Sequence, residues 1–220
     1  MKKIKLDRRL GAAAAFVGVG ERVADVGTDH GYIPVWLRQN GIAPFVIASD
    51  INSLPLRSAA ANADAYEADG ILLRQCDGLE GISQSEVDTV IIAGMGGETV
   101  CGIIAASGWD WKGKKLILQP MTKQAQLVEW LYDNGFAVTG ESFAYDAKKS
   151  YRILKAEKKR EKKPRPAYIH CGFTYERYGK EEKDRLVRAL EGLKRSKTPD
   201  EGRADEYARI LEDIEDAYGT

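Results

Sequence analysis

Cysteine and histidine are scarce in this chain of 220 residues, and their positions exclude the sites that they commonly build. The three cysteines, Cys76, Cys101 and Cys171, show no C-x-x-C spacing, and the two histidines, His30 and His170, lie far apart. An odd, scattered set of cysteines is a poor framework for disulfides, and structural zinc needs several such ligands together. We therefore expect free thiols and no metal centre.

Long apolar runs are also missing. No stretch approaches the roughly 20 apolar residues that cross a bilayer as a helix. The basic start of the chain lacks the apolar segment of a signal peptide. Hydrophobic residues make up 44% and charged residues 30%, which is typical of a globular protein. We expect a cytoplasmic protein with no membrane partner, built from one well-packed domain and a smaller appendage.

Net charge is zero over the chain, but the charges are unevenly distributed. Residues 1–146 carry 13 Lys and Arg against 18 Asp and Glu, whereas residues 147–220 carry 20 against 15. The stretch from Lys148 to Arg165 holds ten basic residues and only two acids, Glu157 and Glu161. Such a cluster is either a solvated linker or a binding surface for nucleic acid, and the chemistry of the adjoining domain decides between them.

Short apolar runs alternate with segments of helix length from residue 22 onward, which is typical of a mostly parallel sheet covered by helices on both faces. The predicted strands are residues 23–26, 45–49, 71–75, 87–93 and 115–119, and the predicted helices are residues 32–40, 53–68, 98–107 and 123–134. Residues 136–145 and 151–156 follow with hairpin spacing. We therefore expect an α/β sheet of about seven strands whose last pair is antiparallel.

Helical patterns flank this sheet. Before the first strand, apolar residues at helical spacing predict an amphipathic helix; they are Leu6, Leu10, Ala13, Ala14 and Val17. Arg8 and Arg9 would be exposed near its start. Beyond the basic stretch, two apolar stripes predict a small C-terminal helical hairpin with a turn at residues 197–200. We place one domain at residues 1–157, and a basic linker with a helical accessory domain at residues 158–220.

The first candidate binding residues follow the first strand, in the sequence Asp25-Val26-Gly27-Thr28-Asp29-His30-Gly31. Glycines allow a sharp turn and let a ligand approach the start of a helix, although many α/β proteins need such glycines only to turn. Asp29 replaces the middle glycine of the dinucleotide fingerprint G-x-G-x-x-G, and its carboxylate would repel a pyrophosphate. It would suit a cationic ligand, such as the ammonium and sulfonium groups of S-adenosylmethionine.

Acidic residues follow the second and third strands as well. Asp50 comes about 20 residues after the glycine turn, where an acid can bind both ribose hydroxyls of an adenosine ligand. Asp77 follows the third strand, where it could bind an adenine amino group, although either acid could instead cap a helix. Because the carboxyl ends of parallel strands share one edge, we favour a cofactor crevice formed by Gly27, Asp29, His30, Gly31, Asp50, Ile51, Asp77 and Gly78.

A second glycine-rich segment, Ile91-Ile92-Ala93-Gly94-Met95-Gly96-Gly97-Glu98, follows the fourth strand. Three glycines within four positions exceed the need of a turn, and they would let backbone approach a flat substrate closely. We therefore predict a base pocket at Gly94, Met95 and Gly96. Gln119, Pro120 and Met121 end the fifth strand beside it and could complete its wall.

These segments resemble, in the same order, those of the bacterial tRNA (adenine-22-N1)-methyltransferase family. The segments lie at residues 25–34, 48–52, 92–98 and 116–121, and the resemblance covers about residues 4–157. Asp-His in the first turn together with Gly-Met-Gly-Gly in the fourth is more restrictive than a generic methyltransferase motif. The tail differs, because residues 167–173 replace a Gly-Pro-containing segment of the family.

The resemblance implies a Rossmann-like methyltransferase sheet and methyl transfer from S-adenosylmethionine to N1 of a tRNA adenine, without metal. It also implies that carbonyls of the loop at Gly94 to Gly96 accept hydrogen bonds from the amino group of the target base. Since N1 already carries a lone pair, we assign no general base. Two rivals stay open: a methyltransferase for small molecules, which would not bind tRNA in a salt-dependent manner, and a non-catalytic RNA-binding protein, which would not bind the cofactor.

Replacing five basic residues by glutamine tests whether the basic stretch binds tRNA. The variant changes Lys158, Lys159, Arg160, Lys162 and Lys163. If these side chains bind phosphates, the variant should bind tRNA more weakly. The slope of log affinity against log salt concentration should then fall in magnitude by about 0.7–0.9 for each phosphate that is no longer neutralised. Cofactor affinity, measured by calorimetry, serves as the control and should not change. A parental tRNA affinity with a parental salt slope would show that the stretch is a solvated linker.

Overall fold

The computed structural model describes residues 2–147, 149–196, 198 and 200–220 of the chain, which forms two compact units, Met1–Glu161 and Lys162–Thr220. The predicted boundary after residue 157 falls four residues before the end of the first unit. The reason is that the amide of Lys159 still donates to the carbonyl oxygen of Gly135, at 3.1 Å, beyond the last strand.

The first unit contains a seven-stranded sheet with the strand order β3-β2-β1-β4-β5-β7-β6. The strands are β1 (Val23–Val26), β2 (Val46–Asp50), β3 (Ile71–Gln75), β4 (Thr89–Gly96), β5 (Lys115–Thr122), β6 (Phe136–Tyr145) and β7 (Ser150–Lys158). Strands β1 to β5 pair in parallel, whereas β7 is antiparallel to both β5 and β6. The predicted sheet and its antiparallel ending are therefore confirmed.

Helices cover both faces of this sheet, since the inner strands are buried along their length. They are α1 (Arg8–Ala14), α2 (Tyr32–Gln39), α3 (Ser53–Ala65), α4 (Gly97–Ala106) and α5 (Gln124–Asp133). Helix α1 begins at an N-cap, where the Asp7 carboxylate accepts from the amide of Leu10 at 2.7 Å. Buried Ala13 and Ala14 place this helix in the same apolar cluster as β1 and α2.

Strands β4 and β5 run three residues further than the sequence pattern predicts. Their extensions pair with each other, with Met95 opposite Pro120 and Gly96 opposite Thr122. The register shifts between Ala93 and Met95, and Gly94 between them has a φ of +86° that favours glycine. The shift carries the end of β4 over the carboxyl edge of the sheet.

Arg152 lies in the basic stretch but does not belong to its exposed surface. Its side chain is fully buried in β7 and pairs with Glu141 of β6, with 2.7 Å between Nε and Oε2. Lys158, at the other end of β7, donates to the carbonyl oxygen of Asn134 at 2.8 Å. Because β7 is antiparallel to β5, the basic stretch leaves the sheet at the edge where the parallel strands begin.

The second unit consists of α6 (Pro166–Cys171), α7 (Arg177–Arg195) and α8 (Glu201–Tyr218). The two long helices match the predicted hairpin, and the short α6 occupies the segment that departs from the family pattern. Arg165 joins its start to α8 through ion pairs with Asp213 and Asp216. The predicted turn at residues 197–200 includes Lys197 and Pro199, which lie outside the described residues. Within the described part of the chain, no helix has the length and apolar character needed to cross a membrane.

Candidate active site

The turn after β1 depends on backbone conformations that glycine adopts most easily. Gly27 and Gly31 have φ angles of +72° and +66°, and His30 between them has +59°. A Cβ atom on Gly27 would lie 2.0 Å from Cε of Met95, and one on Gly31 would lie 2.8 Å from Cβ of Ala59. Glycine at these positions therefore lets the turn approach both the end of β4 and helix α3.

A cavity of about 520 Å³ lies at the carboxyl edge of the parallel strands. Five of the residues predicted from the sequence line it together, namely Gly27, Asp29, Asp50, Gly94 and Met95. Met121, which was expected to complete the wall, lines it too. The turn after β1 and the ends of β2, β4 and β5 thus meet in one site, at the position where the strand order reverses between β1 and β4.

Six further predicted residues do not line this cavity: His30, Gly31, Ile51, Asp77, Gly78 and Gly96. The exposed His30 ring has Nε2 3.2 Å from Oδ1 of Asp29, and the His30 carbonyl oxygen accepts from Asn62 of α3 at 2.8 Å. Gly31 begins α2, and the 56% exposed Ile51 flanks the cavity residue Asp50. His30 and Gly31 therefore shape the turn from outside the cavity.

Asp77 and Gly78 lie in the loop after β3. Gly78 has a φ of +53°, and a Cβ atom on it would approach Ile103 of α4 to 3.1 Å. The Asp77 carbonyl oxygen accepts from the amide of Glu80, and its side chain is exposed. The backbone conformation and the packing against Ile103 explain why residue 78 is a glycine. A role of Asp77 and Gly78 in binding adenine stays a prediction.

Gly96 serves the packing of the strand ends rather than the cavity wall. Its φ is −69°, so it does not need a left-handed backbone, and a Cβ atom on it would meet Oγ1 of Thr122 at 3.2 Å. The next residue is more constrained, since a Cβ atom on Gly97 would lie 2.5 Å from the carbonyl oxygen of Lys123. Of the glycines in this loop, Gly94 is the one that faces the cavity.

Asp50 lies at the strand end where the sequence predicted it, and the N-cap of α3 is Asn52 rather than Asp50. It ends β2 and lines the cavity, and its Oδ1 also accepts from the amide of Asn52, at 2.7 Å, just before α3 begins. A single carboxylate can accept several hydrogen bonds, so the turn at Asn52 leaves acceptor capacity for a ligand. Its role in binding ribose hydroxyls stays a prediction.

Asp25 is a cavity residue to which the sequence pattern assigned no role. It lies in β1 with 5% of its surface exposed. Burial raises the pKa of its carboxyl from 3.8 to about 6. A cation bound beside it would stabilise the charged form and lower the pKa again.

Arg9, Asp7 and Tyr151 also line the cavity, although the sequence pattern did not place them there. Arg9 was expected to be exposed to solvent, but its Nη1 donates to Oε1 of the buried Gln119 at 2.7 Å. Its guanidinium carbon lies 5.9 Å from the centre of the Tyr151 ring. These residues come from α1 and β7, outside the parallel repeats, and no local motif marks them.

Known proteins resemble both the sequence and this arrangement. A methyltransferase-domain family matches residues 6–154. The tRNA (adenine(22)-N(1))-methyltransferase of Bacillus subtilis (strain 168) is 36% identical over 159 residues, which cover 71% of this chain and 67% of that protein.

Two solved structures extend the likeness over nearly the whole chain. The m1A22 tRNA methyltransferase of B. subtilis superposes with a TM-score of 0.86 at 27% identity, covering 98% of this chain and 99% of that one. A Streptococcus pneumoniae protein, a candidate tRNA (m1A22) methyltransferase in complex with S-adenosyl-L-methionine, has a TM-score of 0.82 at 27% identity, covering 97% and 99%. These matches include the C-terminal helices despite their different sequence.

Asp50→Ala should weaken binding of S-adenosylmethionine at least tenfold while the fold is retained. Two charge-assisted hydrogen bonds to the ribose would be lost, each stabilising the complex by roughly 1.5–3 kcal/mol. Calorimetric titration measures the change, and Asp64→Ala, which removes an exposed acid from α3, is the matched control. If the Asp50 variant bound S-adenosylmethionine with parental affinity, Asp50 would serve only to form the turn at Asn52.

Proposed function

The chain belongs to the tRNA (adenine(22)-N(1))-methyltransferase family, and from this we propose that it transfers the methyl group of S-adenosylmethionine to N1 of adenine 22 in tRNA. We further propose that it acts on this tRNA in the cytoplasm. The observation that carries the proposal within this chain is the charge of the cavity. Its walls contribute four carboxyl groups, from Asp7, Asp25, Asp29 and Asp50, and one basic side chain, from Arg9.

An excess of carboxyl groups suits a reaction in which positive charge is present throughout. S-adenosylmethionine, when bound, supplies an electrophilic methyl group on a sulfonium, and N1 methylation leaves a positive charge on the adenine. Fixed carboxylates in a partly enclosed cavity stabilise such charges more strongly than water-exposed ones do. A pyrophosphate ligand would be repelled by the same walls, which argues against a nicotinamide cofactor.

Several residues around the cavity support binding of the cofactor there. Asp50 would hold the ribose hydroxyls, and the turn at Gly27, which has no Cβ, leaves space beside Met95. Asp25 and Asp29 would face the ammonium and sulfonium end of the cofactor, since both lie in or directly after β1. This assignment makes the first turn the electrostatic partner of the transferable methyl group.

Gly94, Met95 and Met121 would form the slot for the target base, with Gly96 outside it. Their backbone and thioether groups carry no net charge, so the slot can strip water from an adenine without attracting its phosphates. Because N1 needs no deprotonation, the task of these residues is to align the N1 lone pair with the methyl carbon. Backbone carbonyls at Gly94 and Met95 are suited to accept hydrogen bonds from the adenine amino group.

Methyl transfer from labelled S-adenosylmethionine into a tRNA transcript tests this proposal. After nuclease digestion, the label should be recovered as N1-methyladenosine, and a transcript with guanine at position 22 should stay unlabelled. Recovery of the label only in small-molecule extracts would support the small-molecule rival. Failure to bind S-adenosylmethionine would instead support the hypothesis of a non-catalytic RNA-binding protein.

Gly94→Ala should reduce methyl transfer more than it reduces cofactor binding. An alanine at a φ of +86° costs about 1–2 kcal/mol, and its Cβ would lie 3.5 Å from Nη1 of Arg9, inside the base slot. Single-turnover rates and calorimetry separate the two effects. Gly102→Ala is the matched control, because a Cβ atom on that glycine meets no atom within 4 Å. Equal turnover in the two variants would place the base slot elsewhere.

A further inference from the structure

A second cavity of about 520 Å³ adjoins the candidate active site. The two cavities have three lining residues in common, Asp7, Arg9 and Tyr151. The second is completed mainly by Arg8 of α1 and by Tyr145 and Asp146 at the end of β6. A ligand that reaches both cavities must therefore pass along Arg9 and Tyr151.

Arg9 is anchored in a way that leaves most of its hydrogen-bond donors available. Its Nη1 donates to the amide oxygen of Gln119, which is itself fully buried and donates through Nε2 to the carbonyl oxygen of Pro120 at 3.1 Å. A guanidinium has five N–H donors in a planar fork, and this anchor uses one of them. Among the described residues, no carboxylate lies within ion-pair distance of the Arg9 guanidinium, in contrast to Arg22 with Asp88.

Tyr151 presents a fixed aromatic ring between the cavities. Its hydroxyl donates to Oδ2 of Asp146 at 2.9 Å, and Oδ1 of Asp146 accepts from the amide of Lys149 at 2.6 Å. An aromatic ring held in this manner is a typical platform for stacking an unpaired nucleobase. The Asp146 and Asp7 carboxylates each already accept hydrogen bonds from this chain. Arg8 donates through Nη1 to the carbonyl oxygen of Tyr145 at 3.2 Å, and its other donors, like those of Arg9, can serve an anion.

The joint arrangement matches two consecutive nucleotides. We propose that the second cavity binds the RNA nucleotide adjoining the target adenine, and that Arg9 contacts the phosphate that links the two. The inference rests on the proposed function, since it takes the first cavity as the site of the target base. A base extruded from its stack keeps its covalent neighbours close by, and contacts to flanking nucleotides are a common source of selectivity in such enzymes.

The position of the other cations in the first unit supports this role for Arg9. The basic stretch leaves the sheet after Lys158 at the opposite edge, where β6 begins, whereas its Lys149 lies in the hairpin between β6 and β7, next to Asp146 of the second cavity. Arg8 and Arg9, in contrast, lie at the edge that carries the cavities. The phosphates nearest the target base are therefore within reach of α1 and of Lys149 rather than of Lys158.

The test combines a variant with a substrate in which single phosphates are made neutral. RNA substrates carry one methylphosphonate, either 5′ or 3′ of the target adenine, and kcat/KM is measured for the parental protein and for Arg9→Gln. We expect one of the two neutral linkages to lower the parental kcat/KM about 10- to 100-fold, as removal of a charged hydrogen bond does. The Arg9→Gln variant should lose a similar factor with unmodified RNA and little more with that neutral linkage.

The outcomes separate this inference from the proposed function. Lys112→Gln, at an exposed site before β5, is the control for removal of a positive charge and should behave as the parental protein. Calorimetry of Arg9→Gln with S-adenosylmethionine should give parental affinity, which would show that Arg9 does not serve the α-carboxylate of the cofactor, the other anion that this cavity would hold. A weakened cofactor affinity would assign Arg9 to that carboxylate and overturn the inference. The inference would be overturned if the losses in kcat/KM from Arg9→Gln and from the neutral linkage multiplied when the two changes were combined. It would also be overturned if neither neutral linkage lowered kcat/KM of the parental protein. A parental protein that methylates no unmodified RNA would overturn the proposed function instead.

The second cavity itself is tested with Tyr151→Leu and an RNA whose neighbouring nucleotide lacks its base. Removing either the ring or the base should lower kcat/KM by about tenfold, since stacking contributes roughly this factor. Removing both should cost little more than removing one. If the losses in kcat/KM from removing the ring and from removing the base were independent of each other, this nucleotide would be bound elsewhere. Binding of free nucleoside monophosphate to the second cavity, with no dependence on the neighbour in RNA, would identify it as a separate small-anion site.

Discussion

The close approach of Gly27 to Met95 is the constraint on which the candidate active site depends. Strands β1 and β4 are neighbours in the sheet, with Val26 opposite Ile92, so the loops that follow them leave the same edge side by side. Gly27 has a φ of +72°, which favours glycine, and a Cβ atom there would lie 2.0 Å from the terminal methyl carbon of Met95, whose side chain would have to move aside. This approach brings the turn after β1 and the end of β4 to one cavity, where we propose that the cofactor and the target base meet.

Electrostatics then determine what the cavity accepts. Three acids follow from the geometry of parallel strands, since Asp25, Asp29 and Asp50 lie at the ends of β1 and β2. The rise in the pKa of Asp25 shows that burial already acts against charge at this place. A cationic ligand relieves that cost, so the site is better matched to a sulfonium than to an anionic cofactor.

Patterns local in sequence predicted most of the fold and about half of the site. The parallel strands follow from continuous apolar runs, and Gly27, Asp29 and Asp50 follow from their place at the strand ends. Arg9 and Tyr151 could not be predicted, because helix α1 and the antiparallel strand β7 reach the cavity only through tertiary packing. The pattern also could not tell that Gly96 supports Thr122 rather than facing the cavity, since both uses require a small residue.

A crystal structure of the protein with S-adenosylhomocysteine and a short RNA containing the target adenine would show whether one cavity holds both reactants. We predict that the ribose hydroxyls of the cofactor product contact Asp50 and that the adenine lies against Gly94 and Met95, with N1 facing the sulfur. Both ligands should occupy the one cavity that Gly27 lines. A cofactor product bound away from Asp50, or an adenine on the far side of β4, would contradict this arrangement.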